Sequence, residues 1–433
     1  MSEPDHRDRR RWLILIVGLL AMTAGCTFQY GLAYLIPALR HQGFSLELAS
    51  ILVACPTAGL LATLIGWGAA ADRFGERFVL AAGLGAGGVV LLITATVHGA
   101  VGLGFCLALG GAAGGSVFAA SGRLILGWFA RHERGLAMGI RQSSQPLGVA
   151  LAAATLPALG SSGTAAPMLF LGSFCLLAAV LVVVLVRDPA REESAQAPEA
   201  ARPSEPGNGQ LADAAAAAPI ARRPSPYRQP VLWRIHAASA LLVVPQFTVA
   251  TFALVFLVDA RGWTALAAGR LLAVAQVCGA GSRLGAGYWS DRVGSRMRPM
   301  RILALSTAVG VAALAAAAAA GSVVAVPILL ACAVVAVSTN GLAFTAVAEY
   351  AGSAWAGRAL GIQNTGQNAL AAATPPVLAL AIGAIGFGAS FAIVAAFPIV
   401  AAAFVPVSVE RARKGADVAV AEAPVVRGAR SAG

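Results

Sequence analysis

Twelve stretches of about twenty apolar residues govern what this chain can become. They lie near 12–37, 48–70, 78–97, 101–127, 136–159 and 166–187, and then near 232–257, 264–288, 300–320, 323–347, 357–382 and 386–407. Each is long enough to cross a bilayer as a helix, which satisfies its backbone hydrogen bonds internally. Hydrophobic residues make up 58% of the 433, against 12% charged. A soluble domain carries about twice that charge, so this chain lacks the polar side chains to cover a water-facing surface. The predicted fold is an all-α membrane protein with twelve transmembrane helices.

Between the sixth and seventh stretches, residues 188–229 turn rich in Pro, Ala and charge, as in ARRPSPYRQP. Such a composition cannot bury enough apolar area to order itself. The expected organisation is an N-terminal six-helix bundle over 1–187 and a flexible linker over 188–229. A C-terminal six-helix bundle follows over 230–408, then a disordered tail over 409–433.

The net charge of +12 would suggest nucleic acid on a soluble protein. Here the basic residues instead fall in short clusters between apolar runs. Arg7, Arg9, Arg10 and Arg11 precede the first stretch. Arg73 and Arg77, Arg131 and Arg134, Arg292 to Arg301, and Arg411, Arg413 and Lys414 follow at alternate junctions. Twelve spans put every cluster on one side, which the positive-inside rule makes cytoplasmic, with both termini and the linker. No nucleic-acid partner is expected; the partner is the lipid bilayer. One Lys against thirty Arg, with abundant Ala, fits a GC-rich bacterial genome and an inner-membrane location.

The basic start followed by an apolar run imitates a signal peptide, and Ala24-Gly25-Cys26 imitates a lipid-attachment site. The run continues well past Cys26, and Thr23 stands where such a site prefers Leu, so the segment reads as an uncleaved first span. All six cysteines lie in apolar runs without a CxxC pair, which suits small buried residues better than metal or disulfides. No metal and no cofactor are expected. Gly83-Leu-Gly85-Ala-Gly-Gly88 matches a dinucleotide fingerprint but has no strand before it. Close helix contacts explain it better.

The chain repeats itself at a spacing near 220 residues. Gly68-Ala-Ala-Ala-Asp72-Arg73-Phe-Gly75-Glu76-Arg77 and Gly287-Tyr-Trp-Ser-Asp291-Arg292-Val-Gly294-Ser-Arg296 both read GxxxDRxGxR, each after the second span of its half. Arg134-Gly-Leu-Ala-Met-Gly139-Ile140 pairs with Gly357-Arg-Ala-Leu-Gly361-Ile362 at the fifth and eleventh spans. Small residues at Gly68 and Gly287 should let helices approach at the membrane edge. Gly75 and Gly294 should allow tight reversals. The Asp and Arg residues must sit at the interface and can latch one state of a moving bundle.

These paired motifs, the span count, the linker and the orientation resemble the major facilitator superfamily across the whole chain. The resemblance implies two pseudo-symmetric six-helix bundles, a central cavity open to one side at a time, and alternating access by rocking. It implies a monomeric secondary carrier of a small molecule rather than an enzyme.

Polar groups inside the spans mark the candidate site, because they are costly there. No Asp or Glu lies mid-span; Glu47, Asp259 and Glu349 stand near span ends. Arginines do lie within spans. Arg283 stands eight residues before Asp291, and Arg141 precedes Gln142 and Gln145, with Arg141 and Gln145 on one helix face. A guanidinium can hold a planar carboxylate through two hydrogen bonds. Carriers of the monocarboxylate and oxalate/formate type have an arginine at the place of Arg283, and that resemblance implies a role in binding substrate carboxylate. The bland alternatives are an Arg283 that braces the inner end by pairing with loop acids and an Arg141 in an inner-gate salt bridge. Arg123 lies too near the cytoplasmic end and is expected to be structural.

Asn364, Gln367 and Asn368 share a face of the eleventh span, the repeat counterpart of the Arg141–Gln145 patch. They either complete the site or bond helix to helix. Gln29 and Gln246 join the candidate lining, with Tyr30, Gln276 and Asn340 as weaker candidates. His236 in the seventh span could titrate, though a lone His is more often an interface residue. The leading expectation is a carrier for a monocarboxylate-like anion. Efflux of neutral or hydrophobic compounds is the alternative, and a membrane-embedded enzyme or receptor the distant one.

Overall fold

A computed structural model describes residues 3–129, 137, 140–187, 225–352 and 355–412. The core of the expected linker, the tail beyond 412, and Arg134, Gly135 and Gly139 of the second motif lie outside the described residues, as do the side chains of Asp72 and Arg123.

All regular structure among the described residues is helical. The helices are α1 (Glu3–Gly31), α2 (Leu46–Phe74), α3 (Glu76–Thr94), α4 (Ala100–Trp128), α5 (Ser144–Leu159) and α6 (Ala165–Leu185). After the linker come α7 (Pro230–Val255), α8 (Ala265–Val293) and α9 (Met297–Ala319). α10 is broken into Ala325–Ala336 and Thr339–Ala351, and α11 runs over Ala356–Phe404. α1 continues through a 3-10 turn, Leu32–Leu35, into the short helix Ile36–His41. The two final apolar stretches form one run whose only non-helical residue is Gly386, at φ 77°. The chain stays helical over 407–412, past the expected end at 408.

Local chemistry sets the ends. Ser45 accepts from the Leu48 amide at the start of α2, and Thr264 from the Ala267 amide at the start of α8, each satisfying an orphan N–H. Gly75 alone joins α2 to α3, at φ 87° and ψ 161°, and Gly294 closes α8 in the left-handed region at φ 62°. Neither conformation suits a residue with a branched Cβ. Within the spans, hydroxyls turn back on their own helices: Thr27 donates to the Thr23 carbonyl and Thr94 to the Val90 carbonyl, both at 2.7 Å.

The packing is that of a membrane protein. Among the described residues ten helices are long and apolar enough to cross a bilayer, and large hydrophobes such as Ile65, Val101 and Val309 point outward. In water that would be a very large exposed patch; against acyl chains it costs nothing. Helix contacts rely on small residues. A Cβ on Gly59 would stand 1.9 Å from the Ala108 carbonyl, and one on Gly111 would stand 2.1 Å from that of Pro56. α2 and α4 therefore touch backbone to backbone. Gly83 and Gly88 of the fingerprint-like run pack the same way, on Ser116 and on Leu176 and Gly172.

The helices before the linker pack mainly on one another, α2 on α4, α3 on α4 and α6, and α1 on α5 and α6. Those after it do the same, α7 on α11, α9 on α10 and α11, and α8 on α10. The two groups meet along α5–α8 and α2–α11.

Candidate functional site

A narrow cavity lies between the two groups, with about 40 Å³ open to a water-sized sphere in this conformation. Its polar lining is Gln29 and Tyr30 from α1, Thr57 from α2, Gln145 from α5, Gln246 and Thr251 from α7, and Gln276 and Arg283 from α8. Val53, Val149, Phe247 and Val337 supply apolar wall. The polar groups come in pairs spaced like the two motif copies: Gln29-Tyr30 with Gln246-Phe247, and Thr57 with Gln276. The internal repeat is thus visible in the cavity wall itself.

Arg283 is the charged group of this lining. Its Nε donates to the Val337 carbonyl at 3.1 Å, Nη1 to the Gln142 carbonyl at 3.3 Å and Nη2 to Gln145 Oε1 at 3.1 Å. All three acceptors are neutral, and two belong to the opposite group of helices. Among the described residues Arg283 pairs with no loop acid, although the bracing alternative would have required one. Arg141 is buried and stands just outside the lining. Its Nε donates to Ser121 Oγ at 3.0 Å and its Nη1 to Gln142 Oε1 at 3.2 Å. Among the described residues it has no acidic partner either, and the two guanidinium groups share Gln142 between them.

The other amides are spoken for. Gln29 Nε2 donates to Thr57 Oγ1 at 3.3 Å, while its Oε1 is buried without a partner. Gln246 Oε1 accepts from Asn340 Nδ2 at 3.0 Å. On α11, Gln367 Nε2 donates to Ser239 Oγ at 2.7 Å. Asn368 Oδ1 accepts from the Tyr30 hydroxyl at 3.2 Å, and its Nδ2 donates to the Asn364 carbonyl at 3.0 Å. Asn364, Gln367 and Asn368 thus lie behind the cavity lining in this conformation, and the last two bond helix to helix. Of the candidates, the cavity gathers Arg283, Gln29, Gln145 and Gln246; Arg141 and Gln142 flank it. Thr57 and Thr251 went unseen in the sequence, because a threonine in an apolar helix usually satisfies itself on its own backbone.

One end of the interface is sealed. Arg40 and Asp259 form an ion pair across it. A Cβ on Gly269 of α8 would stand 2.3 Å from the Ala153 carbonyl of α5, and one on Gly383 would stand 2.7 Å from Glu47 Oε1. At the opposite end, a Cβ on Gly68 or Gly287 would meet nothing within 4 Å. The close approach expected at these two motif glycines is therefore absent in this conformation.

The second motif copy anchors a charged network. Arg296 pairs with Asp291, and with Glu349 at 3.1 Å. Partial burial works against its charge, but the two carboxylates outweigh it and raise its pKa above the ordinary arginine value. Glu410 accepts from the Arg296 backbone amide at 2.7 Å, from the Met297 amide, and from Ser295 Oγ, capping α9. Arg292 donates to the Tyr288 hydroxyl. In the first copy Arg77 reaches the Val183 carbonyl and Arg73 lies 5.3 Å over the Phe74 ring.

Against known proteins, the sequence model of the Major Facilitator Superfamily matches residues 13–375. Uncharacterised MFS-type transporters from two strains of Mycobacterium tuberculosis are 42% identical over 409 residues, covering 94% of this chain and 87% of theirs. Among solved structures, a bacterial homologue of the human lysosomal transporter Spinster, inward-facing and occupied, superposes with TM-score 0.71 at 13% identity, over 94% of this chain and 97% of that one. A D-xylose–proton symporter superposes with TM-score 0.66 at 18% identity, over 90% and 96%.

Proposed function

This chain belongs to the major facilitator superfamily, and from that premise we propose that it carries a small organic anion of the monocarboxylate type by alternating access. It is an integral membrane transporter, not an enzyme, and its mycobacterial relatives point to a bacterial plasma membrane. In this reading twelve helices form two pseudo-symmetric six-helix bundles over 1–187 and 230–408. The ten long helices become twelve when the sixteen-residue α5 is counted and α11 is divided at Gly386. The termini, the 188–229 linker and the tail lie in the cytoplasm, where the arginine clusters put them. The Arg40–Asp259 end then faces outward and is closed, and the end that carries the two motif loops faces inward. The protein works as a monomer.

The observation that carries the anion reading is Arg283, a guanidinium on the cavity wall whose described partners are all neutral. Keeping a charge at membrane depth is expensive, and an entering carboxylate would offset that cost by displacing Gln145 from Nη2. Arg141 adds a second positive charge through the shared Gln142. Gln29, Gln142, Gln145 and Gln246 supply hydrogen bonds around the anion. Asn364, Gln367 and Asn368 join them when α11 shifts between states. The two motif copies, Gly68, Asp72, Arg73, Gly75 and Arg77 with Gly287, Asp291, Arg292, Gly294 and Arg296, latch the inner end.

The apolar half of the lining favours a second reading, efflux of neutral or hydrophobic compounds. Proteoliposome uptake of a panel of labelled carboxylates, with and without a pH gradient, separates the two. Saturable uptake that Arg283→Ala cuts by about 30-fold in kcat/KM supports the anion carrier. Uptake that survives the substitution returns Arg283 to a structural role, and no uptake by folded protein favours efflux.

A further inference from the structure

The acids described at the spans stand near span ends, yet an imidazole lies buried within one of them. His236 is 9% exposed on α7 and is bonded at both ring nitrogens. Nδ1 faces Gln363 Oε1 of α11, and Nε2 lies 3.0 Å from the Tyr227 hydroxyl, in the turn Pro226–Arg228 that leads in from the linker.

The orientation of the Gln363 amide sets the tautomer. Gln363 Nε2 donates to Ser239 Oγ, so its Oε1 is the atom that faces the ring. An amide oxygen only accepts, so Nδ1 carries a hydrogen. In the neutral ring Nε2 is then the acceptor, and the Tyr227 hydroxyl donates to it. A proton added at Nε2 turns that bond around: the Tyr227 hydrogen rotates away and its oxygen accepts from Nε2–H. No heavy atom has to move, and both charge states are fully hydrogen-bonded. Burial raises the pKa of Tyr227, so it stays a phenol throughout.

The neighbours leave the imidazole as the titrating member. Arg234, on the same helix, bonds the Phe404 and Ala403 carbonyls. On α11 and the residue before it, Arg358 lies over the Trp355 ring. On α10, Glu349 is held by Arg296 and Tyr350 packs in the apolar cluster beside α7. From the C-terminal segment, Glu410 is taken up at the start of α9. Arg228 shares the turn with Tyr227. No described carboxylate bonds His236. Its network also runs toward the cavity, because Ser239 accepts from Gln367 as well, and the next residue, Asn368, bonds Tyr30 on the cavity wall.

We propose that His236 is a proton-binding site, loaded at Nε2 from the linker side past Tyr227, whose charge alters how α11 packs on α7 and so makes turnover depend on pH. The transport half of this proposal rests on the chain acting as a carrier; the proton site does not.

The first test therefore uses no substrate. Trp233 lies 6.2 Å from His236 between ring centroids, and an imidazolium quenches a neighbouring indole more than neutral imidazole does. Purified full-length protein should lose tryptophan fluorescence in one step as the pH falls below about 7, and His236→Gln should abolish the step. A wild type without the step, or a step that persists in His236→Gln, overturns the proposal. If His236→Gln does not elute as folded protein, Trp233→Phe decides: loss of the step supports the site and its persistence overturns it. In proteoliposomes, exchange at equal pH on both sides should change about three-fold or more between roughly pH 5.5 and 7.5 and become flat in His236→Gln. An unchanged profile in that variant overturns the coupling. Failure of carboxylate uptake alone would sink the anion reading and leave the fluorescence step standing.

Discussion

Arg283 on α8 holds Gln145 on α5 through Nη2 at 3.1 Å, a side-chain bond that ties the C-terminal group of helices to the N-terminal one at the cavity wall. In the anion reading, the same Nη2 is the atom that exchanges Gln145 for the incoming carboxylate. The contact that steadies the empty site must then yield when the site fills.

If that competition operates, Gln145→Leu should bind the transported anion more tightly than wild type. One neutral hydrogen bond contributes about 0.5–1.5 kcal/mol net, so KM should fall by roughly two- to ten-fold. Initial-rate uptake across a concentration series measures it, and a raised KM would show that the hydrogen bond Gln145 gives the anion outweighs the one it takes from Arg283.

Arg283→Lys should differ from Arg283→Ala. The ammonium keeps the charge but cannot span two carboxylate oxygens in a plane. Loss of a charge-assisted bond of about 2 kcal/mol corresponds to roughly 30-fold in kcat/KM for the alanine variant. The lysine variant should fall between that and wild type; uptake kinetics of the three proteins decide the order.

The Arg40–Asp259 pair should act as a weak seal. Its side chains are 39% and 32% exposed, and exposed pairs contribute about 0.2–1 kcal/mol. Asp259→Asn should therefore shift the balance of states by no more than about five-fold, and high salt should mimic it. Maleimide labelling of a cysteine placed on the cavity wall, added from the outer side, reports the shift. The charge swap Arg40→Asp with Asp259→Arg should restore the wild-type rate.

The two motif glycines should respond differently to asparagine. Gly294 sits in the left-handed region, which Asn tolerates, so Gly294→Asn should be close to neutral. Gly75, at φ 87° and ψ 161°, occupies a region that is essentially glycine's alone. Gly75→Asn should cost about 1–3 kcal/mol, and thermal unfolding in detergent should separate the two variants.

Much of this architecture was legible in the sequence. Apolar runs of span length can only be helices in lipid, and Gly75 and Gly294 marked the reversals between helices. Legibility ended where a residue's direction mattered. Asn364, Gln367 and Asn368 share a face, but periodicity cannot tell a face turned to a cavity from one turned to a neighbouring helix. Two of them meet Ser239 and Tyr30 instead. Gly68 and Gly287 offered room for close packing, and whether that room is used depends on which end of the molecule is open.

Glu410 carries one more consequence. Its carboxylate receives the amide at the start of α9 and the hydroxyl of Ser295, so residues beyond the last span take part in folding the motif loop. A chain cut after 412 keeps this cap, whereas one cut after 408 leaves α9 to begin without an acceptor. Anyone attaching a reporter or an affinity handle to this end is working beside a structural joint, and a spacer beyond 412 is what keeps the joint free of strain.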